Sequence, residues 1–182
     1  GLAGTGLIGV AKDNLPKRGI APGLMISMAE IEVDLETGKY EILDYVGVAD
    51  CGTIIHPQGL SQQINGGGVW GFGMAGSERH VYDPQIALPA NLGMYQAKIP
   101  TILDVPAKML NGAVDIADPY NPAGGRGVGE PSQGGAVAAI TSAIADALDG
   151  HLFNRVPVTP DMIVNHATGA EQESKLLALN TF

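Results

Sequence analysis

Apolar and acidic residues alternate along the first clearly patterned segment, residues 23–34. In its later part, alanine, isoleucine and valine share one face, and glutamate and aspartate take most of the other. This period of two is typical of a half-buried strand. Residues 36–39 (Glu-Thr-Gly-Lys) have turn chemistry, and residues 40–49 form a second strand pattern. The sequence therefore predicts a β-hairpin.

Residues 57–79 place Leu60, Ile64 and several glycines at helical spacing. Five glycines fall between positions 66 and 73, and each costs about 1 kcal/mol relative to alanine inside a helix. A helix with this composition needs a reason, such as the close approach of another backbone or of a cofactor. A broken helix or a plain loop is an equal alternative on composition alone.

A second helix is predicted over residues 131–148, with Pro131 at its first position and a narrow stripe of small residues that would pack against a sheet. A long excursion with short extended pieces is expected over residues 80–106, and a short strand over 112–117. Thr159 and Pro160 suit the start of a last short helix. We therefore expect an α+β fold: a mixed sheet with a hairpin, backed by two longer helices.

We expect one domain over residues 1–167, the C-terminal portion of a larger cofactor-binding domain, and a tail over 168–182. The chain has 182 residues, 45% of them hydrophobic and only 16% charged. Such a low charge indicates that other protein covers part of the surface. The net charge of −9 argues against nucleic acid or an anionic membrane as partner, and no apolar run is long enough to span a bilayer.

Two simpler chemistries have weak support. Residues Gly4–Gly9 match the G-x-G-x-x-G pattern, but a dinucleotide site needs a preceding strand and a long following helix, and neither is predicted. The four histidines and Cys51 have no metal-ligand spacing, so no metal bound directly by protein side chains is expected. We predict that Cys51 is a buried structural thiol.

The densest concentration of candidate chemistry is residues 124–131, Gly-Gly-Arg-Gly-Val-Gly-Glu-Pro. Glycines allow a backbone to approach a ligand closely. Glu130 would lie at the start of the second helix, whose positive partial charge keeps a carboxylate ionised. The residue is therefore either a helix-start residue or a placed base, and spacing alone favours the former. Arg126 would hold an anion or form a surface ion pair.

Several motifs in fixed order resemble the molybdenum hydroxylases, the family of xanthine dehydrogenase and aldehyde oxidoreductase. The resemblance is to the C-terminal part of the molybdopterin-binding subunit, and it runs from about Gly23 to about Val164. The motifs are Asp50-Cys51-Gly52, Gln63-x-x-Gly66-Gly67, Gly71-x-Gly73, Lys98-Ile99-Pro100-Thr101, Asp104-Val105-Pro106, Gly127-Val128-Gly129-Glu130-Pro131 and Pro157-Val158-Thr159-Pro160.

The resemblance implies that Glu130 is the catalytic base, which takes a proton from a molybdenum-bound hydroxyl whose oxygen attacks an electron-poor carbon of an aldehyde or N-heterocycle. It implies that the metal is held by a pterin, with the cytosine dinucleotide form left open. The implied cofactor-binding residues are Gln63, Gly66, Gly67, Arg126, Gly127, Val128 and Gly129. Trp70 stands where many members have glutamine, which makes the local cofactor contact different here.

The resemblance covers only a fraction of the usual molybdenum subunit, so we expect the chain to act only with companions. These would be the remainder of that subunit, an iron–sulfur subunit with 2Fe–2S clusters, and a flavin or cytochrome (haem) subunit. We expect a cytoplasmic complex, with the periplasm as the other choice. The rival hypotheses are a non-catalytic subunit of such a complex and a dinucleotide-binding module at Gly4–Gly9.

Overall fold

The computed structural model describes Gly6, Gly9 and residues 22–172. The described part contains a three-stranded sheet in the order β1-β2-β3, four α-helices and one 3-10 turn. The elements are β1 (Leu24–Val33), β2 (Tyr40–Asp50), α1 (Pro57–Gly76), α2 (Met94–Ala97), the 3-10 helix Ile102–Asp104, β3 (Lys108–Val114), α3 (Pro131–Ala147) and α4 (Pro160–Thr168). The predicted α+β class with a mixed sheet is confirmed.

The hairpin is formed by β1 and β2, which pair antiparallel over their whole length, with Ile26 opposite Val48. Asp34 closes the turn, because its carboxylate accepts hydrogen bonds from the Glu36 amide and the Thr37 hydroxyl. Burial alternates along β1, so one face packs on the core. The predicted hairpin is therefore confirmed.

Helix α1 is continuous across its glycines, so the loop alternative is wrong. A Cβ added at Gly67 would lie 1.9 Å from Ser132 Oγ, and one added at Gly71 would lie 2.4 Å from Ala136 Cβ. The absence of a side chain at both glycines therefore allows α1 and α3 to cross closely. The contacts advance in the same direction along both helices, from Gly67 with Ser132 to Gly71 with Ala136, so α1 and α3 run parallel to each other. The helix ends at Gly76, three residues before the predicted end.

The core lies between the inner face of the sheet and these two helices. Tyr45 and Phe72 pack edge-to-face with ring centroids 5.0 Å apart, and Ile140 and Ile144 of α3 are fully buried beside them. The predicted small-residue stripe on α3 packs against β1 and α1, as expected, although Ala147 at its end is exposed.

The third strand is offset from its predicted position. It spans Lys108–Val114 rather than 112–117 and pairs parallel with β2, from Asp44↔Lys108 to Asp50↔Val114. The strand stops where β2 stops, and the next residue, Asp115, accepts a hydrogen bond from the Ile54 amide instead. The excursion over 80–106 contains two short helical turns rather than the extended pieces predicted, apart from one bridge between Tyr82 and Pro89.

Helix α4 begins where the sequence placed it, with Thr159 as N-cap, but the threonine side chain makes no capping hydrogen bond. None of the described helices is long and apolar enough to cross a membrane. The predicted tail reaches beyond the described part, which ends at residue 172, and most of Gly4–Gly9 also lies outside the described residues.

Candidate functional site

A glycine loop, residues 124–130, lies beside the carboxyl end of β2 and leads directly into α3. Backbone hydrogen bonds fix it there: the Arg126 amide donates to the Cys51 carbonyl at 2.6 Å, and the Thr53 amide donates to the Gly124 carbonyl at 2.8 Å. Gly124 has φ +71°, and a Cβ on it would meet Thr53 Oγ1 at 2.4 Å. The start of the loop is therefore rigid, and glycine is required at position 124.

The Arg126 side chain points back into the protein and joins two carboxylates. Its Nε donates to Asp118 Oδ2 at 2.5 Å and its Nη1 to Asp50 Oδ2 at 3.1 Å. Asp118 is almost completely buried, and the hydrogen bond from Arg126, with a second from the Tyr120 amide, holds the pKa of Asp118 below its usual value. The guanidinium therefore anchors the loop.

The sequence pattern does not identify Asp50 and Asp118 as partners of Arg126. Asp50 lies 76 residues from Arg126 in sequence, and nothing in the local pattern connects them. A weak signal existed for Asp118, because an aspartate in the rigid Asp-Pro-Tyr-Asn-Pro loop lies close enough to reach the glycine stretch.

Gln63, in the second turn of α1, touches the far end of the glycine loop. Its Nε2 donates to the Gly129 carbonyl at 3.3 Å. The buried Ser132 hydroxyl lies within hydrogen-bonding distance of the same carbonyl, at 3.0 Å, and of the Gln63 carbonyl, at 3.4 Å. The structure therefore brings Gln63 and residues 129–130 together, although 66 residues separate them in sequence.

Glu130 occupies the N-cap position of α3, with Pro131 at the first helical position. Its backbone carbonyl accepts from Gln133, but its side chain makes no capping hydrogen bond and is exposed. The carboxylate is thus one residue from the Gln63 contact and has no structural partner in the described part of the chain. Its role as a cap is limited to its charge at the helix end.

The implied cofactor-binding residues divide into open and enclosed positions. A Cβ added at Gly66, Gly127 or Gly129 would meet nothing within 4 Å, whereas one added at Gly67 would collide with Ser132. Val128 is half-buried between the two open loop glycines. The backbone is therefore open at Gly66, Gly127 and Gly129, whereas the space beside Gly67 is filled by helix packing.

A cavity of about 270 Å³ lies between the glycine loop and the start of α1. Its lining includes Gln63, Arg126, Val128 and Cys51, but not Glu130. The Cys51 thiol is buried, and burial raises its pKa, which makes it a poor nucleophile and agrees with the structural reading. His56, also in the lining, accepts a hydrogen bond from the Gly59 amide at 2.7 Å and so caps α1.

The described residues hold no cluster of three or more histidine, cysteine, aspartate or glutamate side chains that could bind a metal ion. A family model described as a molybdopterin cofactor-binding domain matches residues 12–106, which is more than half of the chain. The chain belongs to this molybdopterin-binding family. The match includes Gln63 and the glycines of α1, whereas the glycine loop and Glu130 lie beyond it.

Relatives and solved structures agree with the family. The chain is 32% identical over 151 residues to the gamma subunit of the 6-hydroxypseudooxynicotine dehydrogenase complex of Paenarthrobacter nicotinovorans, covering 82% of this chain and 19% of that protein. It is 30% identical to a putative xanthine dehydrogenase molybdenum-binding subunit of Escherichia coli, covering 76% and 18%. Aldehyde oxidoreductase from Desulfovibrio gigas superposes with a TM-score of 0.68 and 30% identity, covering 78% of this chain and 15% of that structure.

The chain thus spans less than a fifth of the length of these relatives. The resemblance to the molybdenum hydroxylases, with molybdopterin as the cofactor of the family and oxidoreduction as its chemistry, is confirmed. The residues present fit a pterin: the bare backbone of Gly127 and Gly129 and the Gln63 amide offer hydrogen-bonding groups with no side chain in the way.

Proposed function

We propose that this chain forms one wall of a molybdenum–pterin site and supplies its base, Glu130, to an oxidoreductase that hydroxylates an electron-poor carbon of an aldehyde or N-heterocycle. The observation that carries the proposal is the contact between Gln63 Nε2 and the Gly129 carbonyl. It supports the proposal because the Gln63 amide meets the glycine loop one residue before Glu130, whose carboxylate has no hydrogen-bond partner among the described residues.

In this proposal each residue has a separate task. Gln63 and the open backbone at Gly66, Gly127 and Gly129 hydrogen-bond the pterin, and Val128 contacts it. Arg126 acts through Asp118 and Asp50 by fixing the loop, and Gly67 sets the spacing of the two helices. When bound, the molybdenum–pterin group supplies an activated oxygen and accepts two electrons from the substrate.

Glu130 holds and moves the proton. Within the described part of the chain, its carboxylate makes no hydrogen bond that would have to break first. A positioned carboxylate of this kind contributes roughly 10²–10⁴-fold to a rate. Because Gly127 and Gly129 carry no side chains, substrate and pterin can approach the carboxylate closely.

We propose that the chain acts together with companion polypeptide, because the relatives' names describe subunits of complexes and the chain corresponds to less than a fifth of their length. One part of it is the remainder of the molybdenum-binding subunit, and a second part carries the 2Fe–2S clusters that remove electrons. The printed name of one relative, a gamma subunit of a dehydrogenase complex, supports an assembly of this type. Metal analysis and a subunit inventory of the native complex would establish whether a flavin or haem chain is also present.

Replacing Glu130 by Gln in the native complex tests the proposal. We expect turnover to fall by at least about 10²-fold, while the molybdenum content and the subunit composition stay at the wild-type level. Asp146→Asn, an exposed carboxylate on the same helix, is the matched control and should keep full activity. Unchanged turnover in Glu130→Gln would instead support the non-catalytic role, in which Glu130 only stabilises the start of α3.

A further inference from the structure

The outward face of the sheet is divided into two chemically different halves. The acidic half carries Glu30, Glu32, Glu41 and Asp44, with Glu32 directly opposite Glu41. Its one cation among the described residues, Lys108, binds Asp44 at 2.6 Å. The apolar half carries exposed large hydrophobic side chains from all three strands, with relative exposures between 37% and 63%. Its members are Leu24, Ile26, Met28, Val48, Leu110 and Val114.

Exposed apolar side chains on all three strands are unusual for the outward face of a sheet. Strands that are buried on both faces carry apolar side chains outward as well as inward, and β2 and β3 do so at Val48, Leu110 and Val114. The inner face is covered by α1 and α3, whereas no described element covers the apolar half. A half-exposed antiparallel hairpin would carry polar side chains outward along its full length, as β1 does only at Glu30 and Glu32. A patch of this kind marks an interaction surface.

The apolar half lies at the same end of the sheet as the candidate site. Leu24 on one edge and Val114 on the other both pair with Asp50. Asp50 in turn binds Arg126 of the glycine loop at 3.1 Å. A protein that covers the apolar half would therefore also lie beside residues 124–130.

We propose that the apolar half is the docking surface for the companion polypeptide that carries the remainder of the molybdenum-binding subunit. This inference rests on the proposed function and deepens it by assigning the surface through which the site is completed. Two observations select this occupant. The chain covers less than a fifth of its relatives, so most of a subunit of their length is polypeptide outside this sequence, and the surface adjoins the site that this polypeptide would complete.

A second copy of this chain is disfavoured on the apolar half. Each copy carries a net charge of −9, and pairing through this face would bring two acidic halves towards each other. Like charges at an interface oppose association. The companion is therefore expected to present an apolar surface to the apolar half.

Cysteine labelling in the native complex tests the surface without disturbing the fold. Ile26→Cys, on the apolar half, is compared with Glu32→Cys, on the acidic half of the same strand and face. The native Cys51 is buried and gives a low background. We expect a maleimide to label Ile26→Cys at least about tenfold more slowly than Glu32→Cys, because docking excludes water from the apolar half. Equal rates would overturn the proposal.

The identity of the occupant is read from a photo-crosslinker placed on the same cysteine. We expect the crosslinked chain to match the part of the molybdenum-binding subunit that this chain lacks. A crosslink to a second copy of this chain, or to the chain with the 2Fe–2S clusters, would overturn the assignment. As a complementary variant, Ile26→Lys should release the companion while Glu32→Lys retains it.

These experiments distinguish failure of the docking assignment from failure of the proposed function. If the purified complex contains molybdenum and loses turnover in Glu130→Gln, but Ile26→Cys is labelled freely, only the docking assignment fails. If the complex contains neither molybdenum nor a chain that resembles the rest of the subunit, the proposed function fails as well.

Discussion

Arg126 donates through Nε to the buried carboxylate of Asp118 at 2.5 Å. Together with Asp50, this pair ties the glycine loop to the end of the sheet. The sequence left Arg126 either as an anion ligand or as part of a surface ion pair, and the geometry gives it two carboxylate partners within the chain. Fixing the loop before any ligand arrives reduces the cost of ordering it upon binding.

Asp118→Asn should lower the midpoint of thermal unfolding by several degrees and reduce its dependence on pH in acid. The pKa of Asp118 is lowered from 3.8, chiefly by the hydrogen bond from Arg126. A lowered carboxylate pKa contributes stability that is complete above the unfolded value and is lost as the pH falls through the folded value. The loss is therefore expected below about pH 4. Thermal scans of both proteins between pH 7 and pH 3 measure it, and parallel curves would contradict the assignment.

Two neighbouring glycines of α1 should respond to alanine with opposite signs. Gly67→Ala places a Cβ 1.9 Å from Ser132 Oγ, and we expect overpacking to lower the free energy of unfolding by about 1–3 kcal/mol. Gly66→Ala meets nothing within 4 Å and should raise it by about 0.5–1 kcal/mol, because alanine favours a helix. Denaturant titrations compare the two. Equal effects would show that the helix crossing tolerates the additional methyl group.

Gly129→Ala probes the approach of the pterin. A Cβ at this position has open space in the described chain, so the midpoint of thermal unfolding should remain unchanged. In the native complex, the same methyl group stands where we propose that the cofactor lies, and we expect turnover to fall at least about tenfold through misplacement. Molybdenum content and turnover are measured together. Molybdenum content and turnover at the wild-type level would show that Gly129 does not lie against the cofactor.

His151 and His166 should make the end of α4 sensitive to mild acid. The two rings stack with centroids 3.8 Å apart, and burial, followed by the charge of His166, lowers the pKa of His151 from 6.5. A lowered histidine pKa means that stability is complete above about pH 6.5 and decreases as the pH falls through the folded value. His151→Phe keeps a ring and should flatten the fall in unfolding midpoint between pH 7.5 and pH 5.5. The exposed His80, changed to Phe, serves as control and should leave the slope intact.

The hairpin and α3 could be predicted because their signals are local. Alternation over 23–34 fixes which residues of β1 face the core, and Pro131 with the small-residue stripe fixes the start and the packing face of α3. The α1 helix was ambiguous because the reason for its glycines is on another element: Gly67 needs Ser132, 65 positions further along the chain. Similarly, β3 was misplaced because its limits are set by pairing with β2 rather than by its own composition.

The candidate site was predicted in part. The glycine loop and the position of Glu130 at the helix start follow from sequence, and the resemblance added Gln63. The roles of Asp50 and Asp118 could not be predicted from the sequence, because their ion pairs with Arg126 depend on how the end of β2 meets the glycine loop. For the same reason, Gly66 and Gly67 looked equivalent in sequence, although one faces open space and the other a neighbouring helix.

The parallel crossing of α1 and α3 also constrains how this chain can change in length. Gln63, at the glycine loop, lies four positions before Gly67, which is at the crossing point with Ser132. One residue inserted between them would rotate Gln63 by about 100° and shift it by about 1.5 Å along the axis, which removes its amide from the Gly129 carbonyl. This single helical turn therefore tolerates many substitutions in its outward positions but no insertion or deletion.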